Sequence, residues 1–302
     1  MNTHVFSYRA LKSGHRLGRV TANVIEVENL SKSYKGRQVL NSLSFQVEKN
    51  SCVAVLGPNG AGKTTTVEIL EGYRTFDSGR ISVLGQSPQN SGTSWRARIG
   101  IVLQSTGDLG ELRVKEAIDF FSSLYPNPRH AEEVIELVGL TGQRKLPVRV
   151  LSGGQRRRVD VALGIVGRPE LLFLDEPTTG FDPEARRQFW DLISSLKQLG
   201  TTIVLTTHYL EEAEALADKI IVINKGRVIT EGPPDELGRE PDEDCLVKWR
   251  KDDGEKVEIR TSEPTLLVAS AYKESGGELV GLEVYRPSLE DRYLKLISEE
   301  DR

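Results

Sequence analysis

Apolar runs, and the polar stretches that break them, divide the chain into alternating strands and helices. VIEVENL and SLSFQVEKN alternate apolar and polar positions, the period of a strand with one face in a core. SCVAVLG is apolar almost throughout, as a strand covered on both faces must be, and is expected near the centre of a sheet. It runs into a glycine-rich turn and then TTTVEILEGY, where Val67, Ile69 and Leu70 suit a helix packed on that sheet. From about 105 to 165 the pattern is mostly helical, most clearly in VKEAIDFFSSLY and AEEVIELVGL, which predicts an inserted helical subdomain. Strands then return: LLFLDEP, the helix PEARRQFWDLISSLKQLG, TTIVLTTH, the helix EEAEALADK, IIVINKG and RVITEG. Strands alternating with helices imply right-handed crossovers and a mainly parallel sheet, an α/β fold.

At EGPPDELGREPDEDC the composition turns to Pro, Gly and acid, which marks a boundary near residue 237. Beyond it CLVKWRK, KVEIRTS and ELVGLEVYR alternate. SLEDRYLKLI reads as a helix capped by Ser288 with Leu289, Tyr293 and Leu296 on one face, so residues 237–302 are expected to form a small α+β domain. Residues 1–23 stand apart, because Arg9, Lys12, Arg16 and Arg19 precede the first acid, Glu26. They read as a disordered extension, with a targeting segment or membrane-surface contact as the alternative.

Composition narrows the class. The 302 residues are 38% hydrophobic, enough for a sizeable core, and 40 Lys and Arg against 44 Asp and Glu give a net charge of -4. A mild acidic excess argues against a protein that coats nucleic-acid phosphates, so no nucleic-acid partner is expected. No run approaches the roughly 18 apolar residues of a membrane-spanning helix. Cys52 and Cys245 lie far apart without His or Cys neighbours, which suggests neither a disulfide framework nor a zinc site and fits a reducing cytoplasm.

Three motifs carry the candidate chemistry. Gly57–Thr65, GPNGAGKTT, fits a phosphate-binding loop placed between a strand and a helix. Its glycines let backbone N–H groups turn toward phosphate oxygens at a helix N-terminus. Lys63 is expected on the β- and γ-phosphates and the Thr64 hydroxyl on magnesium. LLFLDEP is an apolar strand ending in two carboxylates: Asp175 is expected near that magnesium, and Glu176 is placed to polarise a water for attack on the γ-phosphate. LSGGQ, with Ser152, Gly153, Gly154 and Gln155, offers a second anion site at a helix N-terminus and lies twenty residues before Asp175. The basic run Arg156 to Arg158 beside it reads as solvating the nucleotide end of that helix.

Together these motifs make residues 24 to 236 resemble the nucleotide-binding subunits of ATP-binding cassette transporters. GPNGAGKTT, with Gly57, Pro58, Asn59, Gly60, Ala61, Gly62, Lys63, Thr64 and Thr65, looks like the Walker A loop, LSGGQ like the signature and LLFLDEP like Walker B. Gln104 in GIVLQS looks like the Q-loop, a magnesium contact and hinge; Asp182 in GFDP looks like the D-loop; and His208 in LTTHYLEEAE looks like the switch histidine, a γ-phosphate contact. Tyr34 sits where the family stacks an aromatic on adenine, though it could simply pack on the sheet. The resemblance implies a RecA-like P-loop NTPase core with an antiparallel β subdomain and the helical insertion. It also implies ATP and Mg2+ as cofactors and a head-to-tail homodimer with ATP between the Walker A loop of one copy and the signature of the other. RPSLEDRYLKLI, EGY and FDSGRISVLG further resemble the daunorubicin-resistance class of exporters, whose permease is a separate chain.

The expected protein is thus an ATPase subunit, cytoplasmic and held on the inner face of the cell membrane by an integral-membrane permease. Export of drugs, lipids or other hydrophobic compounds is the expected work. A soluble cassette ATPase acting on nucleic acid or ribosomes is the alternative; such chains usually carry two cassettes or long coiled coils. Intact Glu176 and His208 argue against a degenerate regulatory module.

Overall fold

The computed structural model describes residues 22–102, 109–239, 245–251 and 254–300. Three antiparallel strands come first in the fold: β1 (Asn23–Tyr34), β2 (Arg37–Glu48) and β4 (Ser78–Val83), ordered β2-β1-β4. β1 and β2 run further than the alternating segments of the sequence. They meet at Lys35 (φ 49°) and Gly36 (φ 81°), two successive left-handed residues that make the tight turn matching strand twist.

The main sheet has six strands in the order β5-β6-β7-β3-β8-β9: β3 (Cys52–Leu56), β5 (Ile99–Val102), β6 (Leu171–Asp175), β7 (Thr202–Thr206), β8 (Lys219–Asn224) and β9 (Arg227–Gly232). All pair in parallel except β9, which returns antiparallel along β8. SCVAVLG is therefore an interior strand, as its composition required. Alternate residues enter two separate cores. Ala54, Leu56, Leu172, Leu174, Ile203, Leu205, Ile220 and Val222 face one; Val53, Val55, Leu171, Phe173, Val204, Ile221 and Ile223 face the other. Burial on both faces is why these strands read as unbroken apolar runs.

The second core is closed by the antiparallel sheet, by α1 (Lys63–Leu70) and by Trp95 of the short α2 (Thr93–Arg96). The first is closed by α3 (Val114–Ser122), α4 (Ala131–Leu137), α5 (Gly153–Ile165), α6 (Pro183–Gln198) and α7 (Leu210–Leu216). In α6 the buried residues Phe189, Leu192, Ile193 and Leu196 recur at helical spacing, so one stripe faces the sheet. Among the described residues of the insertion, helices α3, α4 and α5 occupy the block expected to be helical.

Past residue 237 lies a third, antiparallel sheet ordered β11-β10-β12, formed by β10 (Cys245–Arg250), β11 (Lys256–Thr261) and β12 (Val280–Tyr285). α8 (Pro264–Ser275) packs on it with Ala271 as its one buried residue, too weak an apolar stripe to register in the sequence. α9 (Leu289–Glu300) turns back. Ser288 caps it, accepting from Asp291 N–H at 3.1 Å while Asp291 Oδ2 accepts from Ser288 N–H at 2.9 Å. Leu289 is 1% exposed, and Leu289, Tyr293 and Ile297 pack into the first core, joining α9 to the six-stranded-sheet half of the molecule. Among the described residues no helix is long and apolar enough to cross a membrane.

Candidate functional site

β6, β7 and β3 lie side by side, and Asp175, Thr206 and Val55 are register partners near their C-terminal ends. Those ends deliver Asp175 and Glu176, then Thr207 and His208, then the Gly57–Gly62 loop. The crevice beyond the carboxyl ends of parallel strands is where open α/β sheets hold ligands.

The loop is forced into shape by close packing. At Gly57 (φ 154°) a β-carbon would lie 2.1 Å from Ile223 O, and at Gly62 (φ 107°) 2.6 Å from Leu40 Cδ2. Ala61 N–H donates to Pro58 O at 3.2 Å and Ala61 O accepts from Gly226 N–H at 3.0 Å, while Asn59 and Gly60 are exposed. Gly62 caps α1, whose first turn holds Lys63, Thr64 and Thr65 and no acid, so its free N–H groups keep their positive partial charge. Lys63 Nζ bends back to donate to Gly57 O at 2.7 Å and Pro58 O at 3.1 Å. Burial pulls its ammonium below the ordinary lysine range, and the charges of Glu176 and Asp175 oppose that pull. Lysine and both carboxylates thus share one electrostatic locus.

Thr206 fixes the acidic end of β6. Its hydroxyl donates to Asp175 Oδ1, and Glu176 N–H donates to Thr206 O at 3.1 Å and to Thr206 Oγ1 at 3.2 Å. Glu176 is held at φ 42°, a left-handed conformation that costs a non-glycine residue on the order of 1–3 kcal/mol and concentrates at functional sites. Its Oε1 lies 3.4 Å from His208 Nδ1, and its Oε2 accepts from Thr179 Oγ1 at 3.3 Å. The His208 ring lies 4.0 Å from that of Tyr209, over which the Arg186 guanidinium sits at 4.7 Å. Tyr209 thus lies between His208 and Arg186 of α6.

The remaining expected residues lie at the edges of this locus or away from it. Ser152 caps α5: its Oγ accepts from Gln155 N–H at 3.3 Å and its N–H donates to Gln155 Oε1 at 3.1 Å. Ser152 and Gly153 are exposed and Gly154 is half-buried. Among the described residues, no hydrogen bond joins Ser152–Gln155 to Gly57–Thr65, Glu176 or His208. Exposed Asp182 caps α6, accepting from Ala185 N–H at 2.8 Å. Tyr34 belongs to neither core; it is half-buried, with Lys32 Nζ and Arg74 Cζ at 5.2 and 5.7 Å from its ring. Gln104 lies outside the described residues.

Two groups at the site lie outside the motifs read from the sequence. Arg157, placed by its neighbours among the solvating basic residues, is instead 6% exposed. It faces inward because helical rotation puts it beside Asp160, 3.8 Å away, and it donates to Asp175 O at 2.8 Å and Pro177 O at 3.1 Å. The acid three residues on was the available signal. Glu71, at the C-terminal end of α1, has its carboxyl pushed up to about 8, first by burial and then by the charges of Asp175 and Glu68.

A family model described as ABC transporter matches residues 40–179. The daunorubicin resistance ATP-binding protein DrrA3 of Streptomyces coeruleorubidus is 36% identical over 306 residues, spanning 92% of this chain and 97% of that protein. The chain belongs to the ABC transporter ATP-binding family. The Nod factor export ATP-binding protein I of Ralstonia nicotianae is 40% identical over 219 residues, 71% of this chain and 68% of that one. Among solved structures, an ATP-binding subunit of an ABC transporter superposes with TM-score 0.66 at 24% identity, over 91% of this chain and 99% of that one, a likeness of fold. The cbiO1 protein of Clostridium perfringens, part of the ABC transporter complex cbiONQ, superposes with TM-score 0.65 at 29% identity, over 71% of this chain and 90% of that one. The cassette has the P-loop NTPase α/β fold, binds ATP, and is an ATPase coupled to transport.

Proposed function

We propose that this cassette works as a homodimer, hydrolysing ATP between two copies to drive a separate permease in export. The observation that carries this is the split of the anion-binding groups. One set, Gly57–Thr65 with Asp175, Glu176 and His208, gathers at three strand ends, while the cap of α5, with Ser152 and Gly153 exposed, makes no hydrogen bond to it among the described residues. A site built from both sets needs a second copy. Two head-to-tail copies then make two complete sites, and Asp182 and Gln155 would sit at their seam.

Within each site the N–H groups of Gly60, Gly62, Lys63, Thr64 and Thr65 and the Lys63 ammonium would hold the phosphates. Tyr34, outside both cores and flanked by Lys32 and Arg74, would offer a ring face to adenine. Glu176 would orient a water toward the γ-phosphate, with His208 beside it as a second contact. The donor set of the Thr64 hydroxyl and the Asp175 carboxylate, with Gln104, suits Mg2+, which prefers hard oxygens and completes its shell from phosphates and water. Bound there, Mg2+ would neutralise phosphate charge. Losing the γ-phosphate removes contacts shared by both copies and shifts the pair toward the open form.

The chain is organised, on this account, as a cassette at 24–236 with its helical insertion at about 105–165, and an accessory domain at 237–302. Phe120, Leu124, Leu146 and Val150 are large apolar residues exposed in the insertion, a surface suited to a membrane-protein partner. That partner would hold the subunit on the cytoplasmic face of the membrane. The names of the two relatives, one of drug resistance and one of Nod factor export, support export of drugs, lipids or other hydrophobic compounds. Purification from membranes with a multi-span permease, and ATPase activity lost in Lys63→Ala, is the expected result. A chain recovered only with ribosomes or nucleic acid would favour the soluble alternative.

A further inference from the structure

Glu212 is 0% exposed, an acid buried in α7 four residues beyond His208. An ionised carboxylate is costly in such a place, and a buried acid without a full set of partners is more costly still. Its surroundings come from three segments of the site. Oε1 accepts from Trp190 Nε1, on α6, at 3.4 Å. Burial raises the proton affinity of its carboxyl, and the hydroxyls of Thr207 and Thr178, the Trp190 N–H and the Arg186 guanidinium act in the opposite direction.

Each neighbour is tied to a residue of the hydrolytic site. Thr207 precedes His208, and its Oγ1 accepts from Tyr209 N–H at 3.0 Å, which fixes the turn bearing the histidine. Thr178 lies two residues after Glu176 in a turn closed by Thr179 N–H on Glu176 O at 3.3 Å and Phe181 N–H on Thr178 O at 3.1 Å. Trp190 rides on the helix capped by Asp182. Among the described residues, the buried atoms Glu212 Oε2 and Thr178 Oγ1 make no well-formed hydrogen bond, although the Thr178 hydroxyl is close enough to act on the carboxyl. A carboxylate oxygen and a hydroxyl left open side by side can close on each other with a small shift of either turn, and a charge-assisted bond is the strong kind.

We propose that Glu212 is a positioning residue for ATP hydrolysis: its buried carboxylate fixes the turn carrying His208 against the turn that follows Glu176. This rests on Glu176 and His208 being the hydrolytic pair. The effect falls on turnover, because a small misplacement of reacting groups costs rate far more than it costs ground-state binding. A carboxylate that merely filled space between α6 and α7 would act on stability alone.

The test uses the full chain with magnesium and ATP. It compares Glu212→Ala, Glu212→Gln, Thr178→Val and Glu176→Gln by kcat, KM, affinity for a fluorescent ATP analogue, and melting temperature. Glu212→Ala is expected to lower kcat about tenfold to a hundredfold, with KM and analogue affinity within about twofold of the parent. Glu212→Gln keeps an acceptor for Trp190 and should recover most of that loss, and Thr178→Val should lower kcat at unchanged KM. A kcat within about twofold of the parent in Glu212→Ala overturns the proposal. So does a loss of affinity and melting temperature that Glu212→Gln does not relieve. If Glu212→Ala does not fold, Glu212→Gln and Thr178→Val decide, and parental kcat in both overturns it. Near-parental turnover in Glu176→Gln removes the underlying hydrolytic reading instead, and is seen independently of any Glu212 variant.

Discussion

Single residues at this site are held against their ordinary preferences, and that makes them testable. Glu71 has its carboxyl raised to about 8 in the fold, chiefly by burial, against a starting value of 4.5. Above pH 4.5 the unfolded chain loses this proton while the folded chain keeps it, so stability falls as pH rises and continues to fall until about pH 8. The loss is about 5 kcal/mol at most, as 1.36 kcal/mol accompanies each tenfold change in proton affinity. Nucleotide-free Glu71→Gln should therefore melt above the parent at pH 9 and close to it at pH 4.5; equal melting at both pH values would remove Glu71 as the source. Gly57→Ala is expected to abolish nucleotide binding, because its β-carbon overlaps Ile223 O while φ stays at 154°. Isothermal titration with ATP reads that outcome. The loop and the acidic strand end were legible in sequence because spacing alone specifies them. Arg157, Thr206, Glu71 and Glu212 were not, since their roles depend on burial and on partners distant along the chain.

At the scale of elements, the six-stranded sheet was readable because strands buried on both faces leave unbroken apolar runs. Helix α8 was not, because it buries only Ala271 and shows no stripe. Helix α9 was readable as a helix, from Ser288 and its periodic apolar residues, yet its destination was hidden. The linker composition at 237 separates it from the cassette in sequence, whereas Leu289, Tyr293 and Ile297 return it to the first core beside α7. Arg292 adds hydrogen bonds to Asp235 O at 3.0 Å and Leu237 O at 3.2 Å. Leu289→Ala should accordingly cost about 2–5 kcal/mol, the range for emptying a buried leucine site, and chemical denaturation of the whole chain measures it. An unchanged midpoint would show that α9 is only loosely docked. Arg157→Ala leaves the carbonyls of Asp175 and Pro177 and the Asp160 carboxylate without their cation. It should destabilise the chain by about 3–5 kcal/mol, the loss seen when one member of a buried charge pair is removed.

At the scale of the whole molecule, the two sets of candidate phosphate-binding groups share no hydrogen bond among the described residues. Lys63, Asp175, Glu176 and His208 converge where β3, β6 and β7 end, and the Ser152 cap of α5 faces solvent. On the proposed reading the cassette would gain a complete site by pairing, and hydrolysis would switch it between paired and open states. The most direct measurement is sedimentation of the Glu176→Gln chain with and without ATP and magnesium. That variant keeps the phosphate-binding loop but lacks the carboxylate read as orienting the attacking water, so it should bind ATP, turn it over very slowly, and convert from monomer to dimer only when ATP is present. A Glu176→Gln chain that binds ATP and stays monomeric would contradict the shared site.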